Sequence, residues 1–237
     1  MFNIDRRTFY IILAVMLLIN IISGQRTIEG IIYAIPGVIV AMTFHEFAHA
    51  FVATKLGDDT PRLQGRLSLN PAKHIDPGGL ICLILLGFGW GKPVQVNSRN
   101  FDGKYSLSKA EALVAAAGPV INFILAFIFL IIYVIMNLTI TTITKSVVIA
   151  STIIESIIFV NLGLGVFNLI PIYPLDGSKI LNHFLPFKAQ EWIMNNQFIL
   201  TIIVFIIVFY TNIISYLELY IFMGMEWLIN LIIGIFI

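Results

Sequence analysis

Charge is scarce in this chain. Of its 237 residues only 11% are Asp, Glu, Lys or Arg, while 59% are hydrophobic; soluble domains carry about a quarter charged residues. So little charge cannot cover a soluble globule. With a mean hydropathy of +0.95 and several long apolar runs, it marks a membrane protein of several spans. Cysteine is nearly absent. Cys82 alone excludes an internal disulfide framework or a cysteine-built metal cluster, and itself reads as a small buried apolar residue. A net charge of +1 with no basic cluster offers nothing to nucleic acid. No internal repeat is visible. The longest polar stretches, 56–78 and 91–111, are too short for an extra folded domain.

What remains is apolar sequence to be divided into spans. The N-terminal run follows Arg6 and Arg7 and has no A-x-A-like cleavage site, so it reads as a retained helix rather than a signal peptide. Runs 8–23, 31–55, 112–136, 147–170, 197–214 and 217–237 approach the length of about 20 residues that a span needs. Glu218 and Glu226 interrupt the last of these. A further run, "GLICLILLGFGW" (79–90), has only 12 residues and is broken by glycines. That length suits a re-entrant segment, and "KPVQVN" after it alternates like a short strand. The expected fold is therefore all-α and polytopic, with about six spans and a re-entrant loop or short β segment at about 79–97.

The positive-inside rule tests this arrangement. With Arg6 and Arg7 inside and 79–90 dipping in and returning, twelve of the fourteen basic residues fall inside; Arg26 and Lys145 fall outside. If 79–90 crosses, the later loops invert and the bias largely disappears.

Polar chemistry inside a span appears in "MTFHEFAHAF" (42–51), which contains H-E-x-x-H at His45, Glu46 and His49. On a helix, positions i and i+4 share a face, so both imidazoles can reach one Zn²⁺ at about 2.0–2.1 Å. Glu46 points about 100° away around the axis. It is placed to act as a base on water rather than to complete the ligand pair. A plain interhelical His–Glu hydrogen bond is the structural alternative, but ionisable groups within a membrane default to function.

An open catalytic zinc site takes three protein ligands, so a third must come from elsewhere. Candidates are His74, His183, Glu155, Asp176, Glu218 and Glu226. Asp176 stands out through "FNLIPIYPLDGSKI" (167–180), where Pro171 and Pro174 cannot continue a helix and Asp176-Gly177 reads as a turn. With 79–90 re-entrant, Asp176 emerges on the side where His45 and His49 lie. The charge distribution and the metal chemistry favour the same topology.

Together "HEFAH" (45–49) and "NLIPIYPLDG" (168–177) resemble the site-2 protease family of intramembrane zinc metalloproteases. The stretches "GRLSLNPAKHIDPGG" (65–79), "GWGKPVQVN" (89–97) and "AAGPVINF" (116–123) are similar to the small type of that family, and the likeness runs from about residue 30 to 185. The resemblance implies one zinc held by His45, His49 and Asp176, Glu46 as catalytic base, and a transmembrane protein segment as substrate. Asn168 matches a family asparagine linked to holding the substrate backbone. Larger relatives carry a PDZ or CBS domain, and this chain has neither. The whole chain, 1–237, is then one integral-membrane peptidase domain, with a catalytic core at about 30–185 and C-terminal helices over 197–237. Its expected setting is the cell membrane, multi-pass, with the active site toward the cytoplasmic side; a regulatory membrane partner is left open.

Two further asparagines need placing. The Asn168 amide could donate to a scissile carbonyl or simply close a helix end. Asn122 could bind substrate, orient a ligand histidine, or join two helices. The segment 79–97 is the best candidate for a gate or for a strand that pairs with unwound substrate. Rival readings are a membrane metal-ion or proton transporter using the His/Glu/Asp cluster, and a non-proteolytic zinc-binding membrane protein. Transporters usually show repeat-related broken helices, and a purely structural zinc site has no use for Glu46.

Overall fold

The computed structural model describes residues 27–86 and 91–236; the first expected span, 8–23, lies outside them. Helix α1 (Ile28–Lys55) opens at Thr27, whose side chain accepts from the Gly30 N–H at 3.0 Å. There follow α2 (Thr60–Leu63), α3 (Pro77–Leu86), α4 (Leu107–Thr139), α5 (Lys145–Asn168), α6 (Asp176–Phe184), α7 (Phe187–Asn195), α8 (Gln197–Thr211) and α9 (Ile213–Phe236). Among the described residues α1, α4, α5 and α9 are long and apolar enough to cross a membrane. The expected span 197–214 is different. It forms α8, which is 15 residues long and ends at Asn212 in the left-handed conformation (φ 52). Helix α8 meets α7 at a 77° bend, so it counts as a further span only if that bent pair is one. At 1.5 Å per residue, α8 reaches about 22 Å, short of the roughly 30 Å hydrocarbon layer.

Helices α1, α4 and α5 pack against one another and form the frame of the site. Helix α9 runs antiparallel along α5. Glu218 lies on Gly163, Phe222 stacks on Phe159 with centroids 5.2 Å apart, and Ile229 is buried among Ala126, Leu130, Ile158 and Leu162. Helix α6 folds back onto α4, where His183 Nδ1 meets Ser108 Oγ at 3.2 Å. That return carries the start of α6 into the three-helix frame.

The segment around α3 leaves and comes back to one place. Ile75 and Gly91 form an antiparallel bridge, and the Lys92 N–H donates to the His74 carbonyl at 2.7 Å. A crossing would separate those ends by about 30 Å, so the re-entrant expectation fits and a span does not. The expected strand is reduced to that single bridge. Pro93 has no N–H to give, and the N–H groups of Val94 and Asn97 go to side chains, Glu46 Oε2 at 3.0 Å and Asp58 Oδ2 at 2.7 Å. Among the described residues the segment has no neighbouring strand.

Asp58 fastens this loop to the end of α1. It is fully buried; Oδ1 accepts from Thr60 N at 3.1 Å, Thr60 Oγ1 at 2.5 Å and Asn100 Nδ2 at 2.9 Å, while Oδ2 takes the Asn97 N–H. Burial alone pushes the Asp58 carboxyl up, but the hydrogen bonds from Thr60, Asn100 and Asn97 together outweigh it and hold it below the ordinary carboxylate range. A depressed folded pKa stabilises the fold above the unfolded value of about 3.9, and this is lost as pH falls through the folded pKa. Asp58→Ala should therefore lower the melting temperature, each donor left unpaired in the interior costing about 1–3 kcal/mol. The difference from wild type, followed by thermal unfolding in detergent, should be full at pH 6–7 and shrink only in strong acid.

Candidate metal centre

His45 and His49 stand one turn apart on α1, both buried, with ring centroids 4.6 Å apart and planes nearly perpendicular at 85°. Each ring is anchored through Nδ1: His45 to Asn122 Oδ1 at 2.7 Å and His49 to the Val114 carbonyl at 2.7 Å, both on α4. A carbonyl oxygen only accepts, so in the neutral rings the proton sits on Nδ1 and the Nε2 lone pair is free. Those two Nε2 atoms face each other at 3.0 Å. Asp176, the first residue of α6, brings Oδ2 to 3.1 Å from His45 Nε2 and 3.2 Å from His49 Nε2.

Three electron-rich atoms thus converge, and the buried Asp176 Oδ2 makes no hydrogen bond of acceptable geometry. Only a positive charge between them, a shared proton or a metal ion, makes the arrangement stable. Burial would push the Asp176 carboxyl up, but the imidazoles of His45 and His49, when protonated, outweigh it and hold it well below the usual carboxylate range; the ionised form is the one that ligates metal. Two ligands each about 2.05 Å from a tetrahedral zinc stand about 3.3 Å apart, close to the spacings found here. Zinc fits this donor set, which leaves a fourth position open.

Space is kept by Gly118. A Cβ built there would lie 2.5 Å from His45 Cε1 and 2.6 Å from Nε2 of both histidines. Gly118→Ala should place that methyl against the ligand atoms and remove stoichiometric zinc from the purified protein, as read by atomic absorption. The turn that delivers Asp176 has a similar constraint at Gly177, where a Cβ would collide with the Leu169 and Ile170 carbonyls. Within this turn the Ile172 and Leu175 N–H groups donate to the Ile170 and Ile172 carbonyls, both at 2.8 Å, so the proline-broken chain closes its hydrogen bonds locally.

Glu46 lies beside the trio and points elsewhere, with Oε2 accepting from Val94 N–H and Oε1 facing Gly91. It borders a cavity of about 310 Å³ whose walls include His45, Gly91, Pro93, Phe167, Asn168 and Pro174. Asn168 donates one N–H to the Leu164 carbonyl at 2.9 Å and otherwise fronts the cavity. Asn122 is completely buried and is not among the cavity walls. Its contacts support orienting His45 rather than touching a substrate. The other third-ligand candidates stand apart from the pair. His74 bonds the Ser68 carbonyl at 2.6 Å, Glu155 accepts from Tyr133 at 2.5 Å, Glu218 rests on Gly163, and His183 meets Ser108.

Two participants carry no motif. Val94 acts through its backbone, which no side-chain pattern could signal. Asn161 donates to the Ile157 carbonyl at 2.8 Å and accepts from Asn122 Nδ2 at 2.9 Å. Its signal was legible as a polar residue within a span, seven residues before Asn168 and so on the same helix face.

A membrane-helix bundle holding a His–His–Asp trio, its histidines buried, beside a glutamate at the wall of a cavity defines a metal-dependent hydrolase type of site. Residues 33–211 match peptidase family M50, and the chain belongs to that family. It is 43% identical over 185 residues to YwhC of Bacillus subtilis (strain 168), a protein named by inference as a zinc metalloprotease; the match covers 78% of this chain and 83% of YwhC. It is 30% identical over 163 residues to Rip2 of Mycolicibacterium smegmatis, covering 68% of this chain and 60% of that protein. Rip2 of Mycobacterium tuberculosis is 29% identical over 182 residues, 72% of this chain and 66% of its own. Both Rip2 proteins are likewise named by inference as zinc metalloproteases. No solved structure matches the chain.

Proposed function

We propose that this chain is a zinc-dependent intramembrane endopeptidase that hydrolyses peptide bonds of transmembrane protein segments, within or beside the bilayer. The observation that carries the reading is the convergence of His45 Nε2, His49 Nε2 and Asp176 Oδ2 at 3.0–3.2 Å within a helix bundle that belongs to a peptidase family. His45, His49 and Asp176 are the ligands. Bound there, zinc would supply a Lewis acid that brings the pKa of a water to about 7 and polarises the scissile carbonyl. Glu46 takes the proton from the attacking water and passes it to the leaving amine. Val94 N–H holds one carboxylate oxygen of Glu46, leaving the other to work at the cavity wall. Asn168 has a second amide N–H beyond the one given to Leu164, and that donor serves the substrate carbonyl.

A helix resists hydrolysis because its backbone is already hydrogen-bonded, so substrate must be held extended. Segment 91–97 supports that role through its extended path over Glu46 and its anchors at His74, Asp58 and Gln64, the last donating to Gln95 Oε1 at 2.8 Å. The cavity whose walls include Gly91, Pro93, Pro174 and Leu175 offers a route for water to the centre. The basic residues of the loops at this end of the bundle, among them Arg62, Arg66, Lys73 and Lys92, support a cytoplasmic orientation. The test is cleavage of a synthetic transmembrane peptide by the purified protein in liposomes, with and without a zinc chelator. Chelator-sensitive cleavage is expected. Metal flux across the liposome without cleavage would overturn the assignment in favour of transport.

A further inference from the structure

The hydrogen bonds behind His45 do not stop at Asn122. We infer that Asn161 is a positioning residue for the metal centre: acting through Asn122, it fixes the His45 ring with its proton on Nδ1 and its Nε2 lone pair toward the metal. This rests on the reading of His45 as a ligand.

The inference follows from donors and acceptors that cannot be exchanged. The Ile157 carbonyl on α5 only accepts, so the Asn161 group 2.8 Å from it is the amide nitrogen. Asn161 Oδ1 must then face Asn122, which donates through Nδ2 at 2.9 Å. The same Nδ2 donates to the Ala41 carbonyl of α1 at 3.2 Å. Both N–H groups of Asn122 are committed, so its oxygen faces His45 Nδ1 at 2.7 Å and the histidine has to donate. Two backbone carbonyls at the ends of this network, Ile157 on α5 and Ala41 on α1, set the tautomer of a ring on α1. Asn122 and Asn161 are both fully buried, so no water competes for these bonds.

Without Asn161, one Asn122 N–H is left unpaired in an apolar interior, and the Ala41 carbonyl alone still opposes turning the amide over. A turned Asn122 offers N–H to His45 Nδ1. The ring then accepts there, and its proton moves to Nε2, the position the metal requires. Asn161 opposes that reversal from outside the ligand shell, without touching zinc or substrate. The adjacent Leu162 is equally buried but packs in an apolar cluster with Ala126, Leu130, Ile158 and Ile229, so its side chain takes no part in this hydrogen bonding.

The experiment compares full-length wild type with His45→Ala, Asn161→Leu and Leu162→Ala. Asn161→Ala replaces the leucine variant if that one does not fold, as judged by thermal unfolding of the metal-free protein. Zinc affinity is measured by competition with a chromophoric chelator. The His45 tautomer is read from ¹⁵N-histidine NMR of metal-free protein, with the His45 signals assigned by their absence in His45→Ala. Changes behind a metal ligand typically cost 10–100-fold in affinity. At one residue further out, about 10-fold is expected for Asn161→Leu, together with a reduced share of the Nδ1–H form of His45. Leu162→Ala should leave both readouts at wild type. The inference is overturned if either readout of Asn161→Leu stays at the wild-type value, or if Leu162→Ala weakens zinc equally. Undiminished zinc binding by His45→Ala would instead overturn the ligand assignment beneath it.

Discussion

Glu46→Gln should retain one zinc per chain and lose cleavage by about 10²–10⁴-fold, the range that a positioned general base contributes. The carboxamide keeps the shape of the side chain and an oxygen to accept the Val94 N–H, which lies 3.0 Å from Glu46 Oε2. What it cannot do is take a proton. Glu46 does not contribute to the trio, whose three ligand atoms all lie within 4.8 Å of one another, so metal content should not change. Atomic absorption and cleavage of a transmembrane peptide, run on the same preparation, decide the matter. Activity within tenfold of wild type would remove Glu46 from the chemistry, and lost zinc would make it a ligand. The variant should also retain bound substrate uncut, so a comparison of membrane proteomes would reveal what the enzyme acts on.

Asp176→Ala should lose both zinc and cleavage. Its carboxylate oxygen is the third candidate ligand atom, 3.1 and 3.2 Å from the histidine nitrogens, and among the described residues no other acid completes a ligand group with them. Two imidazoles 3.0 Å apart would face each other without the negative charge that offsets a divalent cation. The fall in affinity should exceed the 10–100-fold typical of residues behind the ligands. Thermal unfolding of the metal-free proteins separates this from collapse of the fold. Removing a carboxylate from an empty site should change that melting point little, whereas zinc should raise it only in wild type. Full zinc occupancy in the variant would exclude Asp176 as a ligand.

The candidate ligands were legible because their chemistry leaves local marks. His45 and His49 are one helical turn apart in a stretch otherwise suited to lipid, and Asp176 follows two prolines that must end a helix. The re-entrant segment was legible from its length and the positions of basic residues. Less visible were contacts made by backbone. Val94 N–H reaches Glu46 across 48 positions of sequence, and its location depends on how the hairpin closes at Ile75 and Gly91. Helix α7 lies between two expected spans, its sequence "FKAQEWIMN" mixing charge with apolar residues, and it meets α8 at a bend of 77° where a single span was expected. The antiparallel pairing of α9 with α5 depends on Glu218 meeting Gly163 and Phe222 meeting Phe159, matches of shape that no periodicity encodes.

The single hydrogen bond between Val94 and Glu46 ties the rail that would receive a peptide to the group that would activate water. A peptide seated badly on 91–97 then disturbs the base as well as its own grip. Discrimination among substrates would therefore register in kcat more than in KM, and a tightly bound but ill-fitting segment would behave as an inhibitor.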